Sequence, residues 1–233
     1  ESTRHTEEFL ATLGHEMRNP LNALEAALEL WATGELDAVE VREIRQLMQR
    51  QVQQLTHLSD DLLDVARIVQ GKFELHAEQV SLQQVIREAC EEVQPVIEKR
   101  RQKLTVHLPA AALIVCGDAS RLLQVFANLI QNGSKFTDRD GRLEVALEAQ
   151  QDLAVVRVRD NGRGIAAHLL DTIFESFTKG GETRVSNDGL GIGLRLVKTI
   201  VERHGGYVVA HSDGRGRGSE FTVQLPLWSP SVD

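Results

Sequence analysis

The chain has 233 residues, 42% of them hydrophobic and 26% charged, enough for one large domain or two small ones with real cores. Its net charge of -8, with no basic cluster beyond EKRRQK at 98–103, argues against a nucleic-acid partner. No apolar run approaches the roughly 20 residues a membrane span needs and no basic-then-apolar leader opens the chain, so this stretch is expected in the cytoplasm, with room for a membrane anchor elsewhere in the full-length protein.

In the first 70 residues, Leu10, Leu13, Met17, Leu21, Leu24, Leu28 and Trp31 recur at steps of three and four and mark one helical stripe. After TGELDA, a plausible hairpin turn, a second stripe runs through Val41, Ile44, Met48, Val52, Leu55, Leu58, Leu62, Val65 and Val69 at nearly heptad spacing. Two antiparallel helices cannot enclose their own apolar seams, and pairing with a second copy gives a four-helix bundle, so the spacing predicts a homodimer. Because the first stripe begins close to Glu1, the helix is expected to continue upstream in a longer protein.

Gly71 ends the second helix, KFELHAEQV at 72–80 alternates like a strand, and Ser81 with Gln84 forms the signature of a capping box. A helix is expected over about 81–101, its basic end suited to the helix dipole. Short strands follow at KLTVHL and ALIVCG, then a helix from about Asp118 to Gly133 and strands at GRLEVALEA and LAVVRVRD. After a loop-rich stretch come a helix at about 191–204 and closing strands GYVVAHS and SEFTVQLPL. The fold class is thus α+β: an N-terminal antiparallel helical hairpin, then an α/β sandwich with a mixed sheet covered by helices on one face. The boundaries are a hairpin at 1–72, a linker or strand at 73–80, a second domain at 81–228 and a tail at 229–233. Cys90 and Cys116 lack CxxC spacing and are read as buried small hydrophobes, without a disulfide framework or zinc site.

Four clusters in the second domain are difficult to explain as packing. In NLIQNGSKFT, Asn128, Asn132 and Lys135 can share one side of a helix and its end, where amide oxygens suit magnesium and a lysine suits phosphate; a solvated face with a glycine stop is the plain alternative. DNGRGI at 160–165 follows an apolar strand, so Asp160 can accept from an amino group while Gly162 and Gly164 let the backbone approach a flat ligand; a tight turn explains the same tripeptide. DTIFESFTKG carries Phe174 and Phe177, whose spacing usually means core and which we read as the hinge where a loop docks. In NDGLGIGL, Gly189, Gly191 and Gly193 open an apolar helix whose free N–H groups could cradle phosphate, although no strand precedes them and no P-loop GKS or GKT is present. Between these two clusters, TKGGETRVSNDG has the composition of a nucleotide lid, with Lys179 and Arg184 as candidate phosphate contacts.

The order and company of these clusters resemble the catalytic core of the sensor histidine kinases of two-component systems. LGHEMRNP around His15 looks like the family's phosphoacceptor box, NLIQNGSKFT its asparagine box, DNGRGI and GLGIGL its glycine boxes, and FESF its phenylalanine box. Gly14, where serine is frequent, and Gly133, where alanine is usual, are the departures, and the second could loosen the helix end beside the metal ligand. The resemblance implies a dimerisation and phosphotransfer hairpin, a Bergerat-type ATP-binding domain, and ATP with Mg2+ as cofactors. It implies Asn132 as the magnesium ligand, Asn128 supporting it, Lys135 near the phosphates and Asp160 on the adenine amino group. Gly162 and Gly164 would line the base pocket. Gly189, Gly191 and Gly193 would hold the phosphate side under the lid, with Phe136, Ile165, Phe177, Leu190 and Leu194 also among the ATP contacts. A response-regulator receiver domain would dock on the hairpin, and a sensory domain would precede it.

One neutral imidazole nitrogen of His15 could attack the ATP γ-phosphorus while the other donates to a carboxylate, a role Glu16 fits in this family. Two residues from both Leu13 and Met17, His15 should face outward. Asn19, one turn on, matches the position that orients water for the reverse phosphatase reaction, and Pro20 should bend the helix just past the reactive site. A degenerate kinase acting as a scaffold, and an ATP-driven machine related to gyrase or Hsp90, are the competing readings.

Overall fold

The computed structural model describes residues 2–32, 34, 36–70, 72–174 and 193–229. Among these, contacts divide the chain between Phe73 and Glu74 into two compact units.

The first unit is a pair of packed helices, α1 (Ser2–Ala32) and α2 (Ala38–Val69). Asp37 starts α2: its carboxylate accepts from the N–H groups of Val39 (2.7 Å) and Glu40 (2.8 Å), while Glu40 returns a carboxylate oxygen to the Asp37 N–H at 2.8 Å. This reciprocal capping box fixes where the connection ends and α2 begins. Helix α1 runs through Pro20, which is buried. A groove between the helices is lined from α1 by Ala23, Ala26, Ala27 and Leu30 and from α2 by Glu43, Ile44, Gln46, Leu47 and Arg50. The small alanines let the backbones approach. The leucine stripe seen in the sequence lies elsewhere on α1: Met17, Leu21, Leu28 and Trp31 are 40–57% exposed in the single chain.

The second unit is built on a five-stranded sheet in the order β2-β4-β5-β7-β6, numbered along the chain as β2 (Lys103–His107), β4 (Arg142–Gln150), β5 (Leu153–Asp160), β6 (Tyr207–His211) and β7 (Ser219–Pro226). Only the β2–β4 pair is parallel, so the sheet is mixed. A two-stranded antiparallel ribbon joins β1 (Glu78–Ser81) to β3 (Ile114–Gly117). Alternation buries Leu143, Val145 and Leu147 of β4, Ala154, Val156 and Val158 of β5, and Phe221, Val223 and Leu225 of β7. Over the sheet lie α3 (Leu82–Lys99), α4 (Ala119–Phe136) and α6 (Gly193–Arg203), which bury Ile86, Phe126, Leu129, Ile130, Leu196 and Ile200. A short helix, α5 (Ala167–Leu170), follows β5. No helix among the described residues is long and apolar enough to cross a membrane.

Four local expectations need correction. Strand pairing begins only at Glu78, so 72–77 is not strand. The box at Ser81 does not form: the Ser81 side chain makes no capping bond and the Gln84 amide turns to Glu88 (2.9 Å). Gly133 is no stop: α4 continues to Phe136, and a Cβ there would lie 3.0 Å from a Leu143 methyl, so the position is a close helix–sheet contact. Cys90 is buried, with its thiol pushed up to about 11 by burial and then by Glu91, but Cys116 is exposed on β3. Gly71 lies outside the described residues.

Candidate functional site

Strand β5 ends at Asp160, and the end of the strand is buried, so its carboxylate must be satisfied locally. One oxygen accepts from the Gly162 N–H at 2.8 Å and, at a long 3.5 Å, from the Thr137 hydroxyl; the other accepts from the Ser219 hydroxyl at the start of β7. All three donors are neutral. Among the described residues, the carboxylate is oriented without being paired to a cation.

The backbone beyond Asp160 is held tightly. A Cβ on Gly162 would collide with the Phe136 carbonyl, and Gly164 adopts φ +65°, where a side chain would also strike the Gly214 carbonyl. Arg163 N–H donates to Phe136 O (3.0 Å) and Gly218 N–H to Gly162 O (3.1 Å), stitching this loop to α4 and to the loop before β7. Ile165 N–H donates to the Ser212 hydroxyl at 2.9 Å, and that hydroxyl donates to Gly218 O at 2.6 Å. Glycine at 162 and 164 thus allows close backbone packing around the carboxylate.

Helix α4 runs alongside. Asn128 and Asn132 sit one turn apart and are half-buried; the Asn128 Nδ2 is buried and has no hydrogen-bond partner among the described residues. An unpaired buried amide donor is costly unless a ligand or water completes it. Gly193, at the start of α6, lies against this same amide, with a Cβ position 3.8 Å from its carbon, and Leu194 follows half-buried. The Lys135 ammonium lies 5.2 Å from the centre of the Phe136 ring, and Phe136 itself is 45% exposed. Phe174 packs edge-on against Phe221 at 6.2 Å, which puts it in the core contact of β7. Phe177, Lys179, Arg184, Gly189, Leu190 and Gly191 lie outside the described residues.

The two helices that bear these groups are tied together by His204, at the end of α6. Its Nε2 accepts from the Asp118 N–H (3.0 Å) and its Nδ1 donates to Ile200 O (2.7 Å), so the ring is a neutral tautomer. Burial pushes its pKa below the ordinary value, against the opposing pull of the Ile200 carbonyl and Asp118. Asp118 caps α4. Although burial works against its charge, bonds from Ser120 (2.7 Å) and from the His76 and Arg121 N–H groups (3.1 Å each) hold its carboxyl below the usual range.

In the first unit, His15 is exposed on α1 and Asn19, four residues on, is exposed on the same face. Met17 is exposed too, so His15 is not set apart from the seam by burial in the single chain. The Glu16 side chain lies outside what is described.

Sequence reasoning passed over Thr137, Ser219, Ser212 and His204. Each acts through a partner distant in sequence, and only the glycine-rich GRGRG before Ser219 is a local signal of a second tight approach.

Residues 117–229 match the family described as histidine kinase-, DNA gyrase B- and HSP90-like ATPase, and residues 6–71 match the His Kinase A phospho-acceptor domain. The adaptive-response sensory kinase SasA of Thermosynechococcus vestitus is 32% identical over 98% of this chain and 62% of its own length. The chain spans between 15% and 62% of the length of the first curated relatives it matches. A crystal structure of full-length ShkA in complex with AMPPNP is 27% identical, with TM-score 0.68 over 95% of this chain and 46% of that one. The structure of histidine kinase ThkA in complex with the response regulator TrrA shares the fold at 23% identity, TM-score 0.63, over 94% of this chain and 61% of that one. With a phosphoacceptor region leading into an ATPase domain, and named sensor kinases matching nearly its whole length, the chain belongs to the sensor histidine kinases and comprises their catalytic core.

Proposed function

We propose that this core transfers the γ-phosphoryl group of ATP to His15 and relays it to an aspartate on the receiver domain of a response regulator. The observation that carries the reading is the buried Asp160 carboxylate, oriented by three neutral donors and paired to no cation among the described residues, which suits an acceptor for the adenine amino group. The unsatisfied Nδ2 of Asn128 supports a ligand beside α4. The domain limits of the reading are 1–72 for the hairpin and 81–228 for the ATP-binding domain.

In the reaction a neutral ring nitrogen of His15 forms a bond to the γ-phosphorus, the bond from that phosphorus to the β,γ-bridging oxygen breaks, and ADP leaves. Glu16 orients the ring and takes up its developing charge. Asn132 fits magnesium by the chemistry of its amide oxygen, since this ion is commonly held by few protein oxygens together with substrate phosphates. The ion, when bound, supplies neutralisation of phosphate charge, and positioning does most of the remaining work. Lys135, Lys179 and Arg184 act as phosphate contacts. Asn19, on the face of His15, would orient water for dephosphorylation of the regulator.

The exposed Met17, Leu21, Leu28 and Trp31 support a homodimer in which a second copy covers them. A cytoplasmic location, an upstream sensory domain and docking of the receiver domain on the hairpin complete the reading. Incubation with γ-labelled ATP and Mg2+ tests it. Acid-labile, base-stable label is expected on the parent and not on His15→Gln or Asn132→Asp. A parent that binds ATP as a dimer yet stays unlabelled would favour a scaffold instead.

A further inference from the structure

The last turn of α4 is the junction between the two ends of the proposed nucleotide site. Lys135 lies on it and Asn132 just before it, the Thr137 hydroxyl reaches Asp160, and the Phe136 carbonyl accepts from Arg163 in the glycine loop. A helix end normally leaves its final carbonyls without intrahelical partners and carries partial negative charge. Here these carbonyls are filled from a distant part of the chain. Arg100, just past α3, donates through Nη1 to the carbonyls of Ser134 (2.9 Å), Lys135 (3.3 Å) and Thr137 (3.1 Å). Gln102 is 7% exposed and donates to Ser134 O (2.9 Å), Thr137 O (2.9 Å) and Asp138 O (3.1 Å), while its own oxygen accepts from the Ser134 hydroxyl at 2.6 Å.

We propose that Arg100 and Gln102 are positioning residues for nucleotide binding, holding the end of α4 so that Asn132 and Asp160 stand at the spacing one nucleotide requires. The inference rests on the nucleotide reading above. Two features set this contact apart from an ordinary helix cap. The donors converge on the one turn that links the Asn132 end to the Asp160 end. The guanidinium also brings positive charge to the negative pole of α4. Neighbouring Lys99 carries the same charge but is exposed on α3.

The test is calorimetric binding of AMPPNP with Mg2+ to the whole chain, scored per folded site from the stoichiometry, with melting followed separately without nucleotide. Arg100→Met and Gln102→Leu are each expected to weaken binding about tenfold, which corresponds to about 1.4 kcal/mol. Arg100→Lys, which keeps the charge but not the fork, is expected to recover part of that loss, and Lys99→Met to bind as the parent does. Lower melting temperatures with unchanged affinity per folded site would overturn the proposal and leave a purely structural cap. Equal weakening by Lys99→Met would overturn it in favour of general electrostatics. Failure of the nucleotide reading looks different: the parent would not bind AMPPNP, or Asp160→Asn would bind as well as the parent. Should Arg100→Met not fold, Arg100→Lys and Gln102→Leu decide the matter by the same affinity criterion.

Discussion

The hairpin and the sheet domain solve the problem of apolar burial in opposite ways. Across the described side chains of the first unit, Ala27 and Phe73 are the buried hydrophobics, whereas the second buries Leu82, Ile86, Leu122, Phe126, Leu129, Ile130, Leu196 and Ile200 to 0% exposure. The difference lies in geometry. A sheet face covered by three helices encloses a core within one chain, while two helices share only a narrow seam and leave their other apolar positions in solvent. One region encloses its core within the single chain, and the other leaves Met17, Leu21, Leu28 and Trp31 exposed in it.

The comparison can be attacked first at the core. Phe126→Ala should destabilise the second unit by about 3–5 kcal/mol, read by urea unfolding, and the loss should not depend on protein concentration. An effect below about 1 kcal/mol would mean that this core is looser than its burial implies. Leu28→Asp is the matching attack on the hairpin. Leu28 is 57% exposed in the single chain, so without a partner its replacement should be nearly silent. With the dimer proposed above, light scattering should instead show the monomer and a loss of roughly 2–3 kcal/mol of association free energy, the scale of one buried leucine.

A subtler contrast is in pH. Burial lowers the His204 pKa in the folded state, so the unfolded chain binds the additional proton first. The stability contribution is full above the unfolded histidine value of about 6.5 and falls as pH drops below it toward the lower folded value. The urea midpoint of the second unit should decline through that window, and His204→Gln should flatten the decline. The smallest effect is expected at Gly14, whose Cβ position meets nothing nearer than Arg18 Nη2 at 3.9 Å. Gly14→Ala should raise the melting of the hairpin by about 1 kcal/mol or less, from helix propensity alone.

Some of this was legible along the chain. The periodicity around Leu10–Trp31 and Val41–Val69, and the alternation in LAVVRVRD, reflect local geometry, which is why β5 occupies the expected 153–160. The candidate site was legible as types and spacing: an asparagine pair at helical separation, an aspartate at a strand end, and glycines after it. Where reading failed, another partner had intervened. The Gln84 amide turns to Glu88 and the Ser81 box does not form; the basic run at 98–103 does end its own helix at Lys99, but Arg100 also reaches across to cap α4.

The sequence by itself determined most of the elements, their order, the family and the candidate residues for the chemistry, because those follow from side-chain period and residue type within a few turns. Only the tertiary structure decided which donors hold Asp160, that Gly133 is a packing contact, that His204 is a neutral bridge from α6 to α4, and that the leucine stripe of α1 is left uncovered. Most of these are contacts between residues ten or more positions apart, or the absence of one, and hydrogen bonding and burial at such range depend on where the chain returns in space.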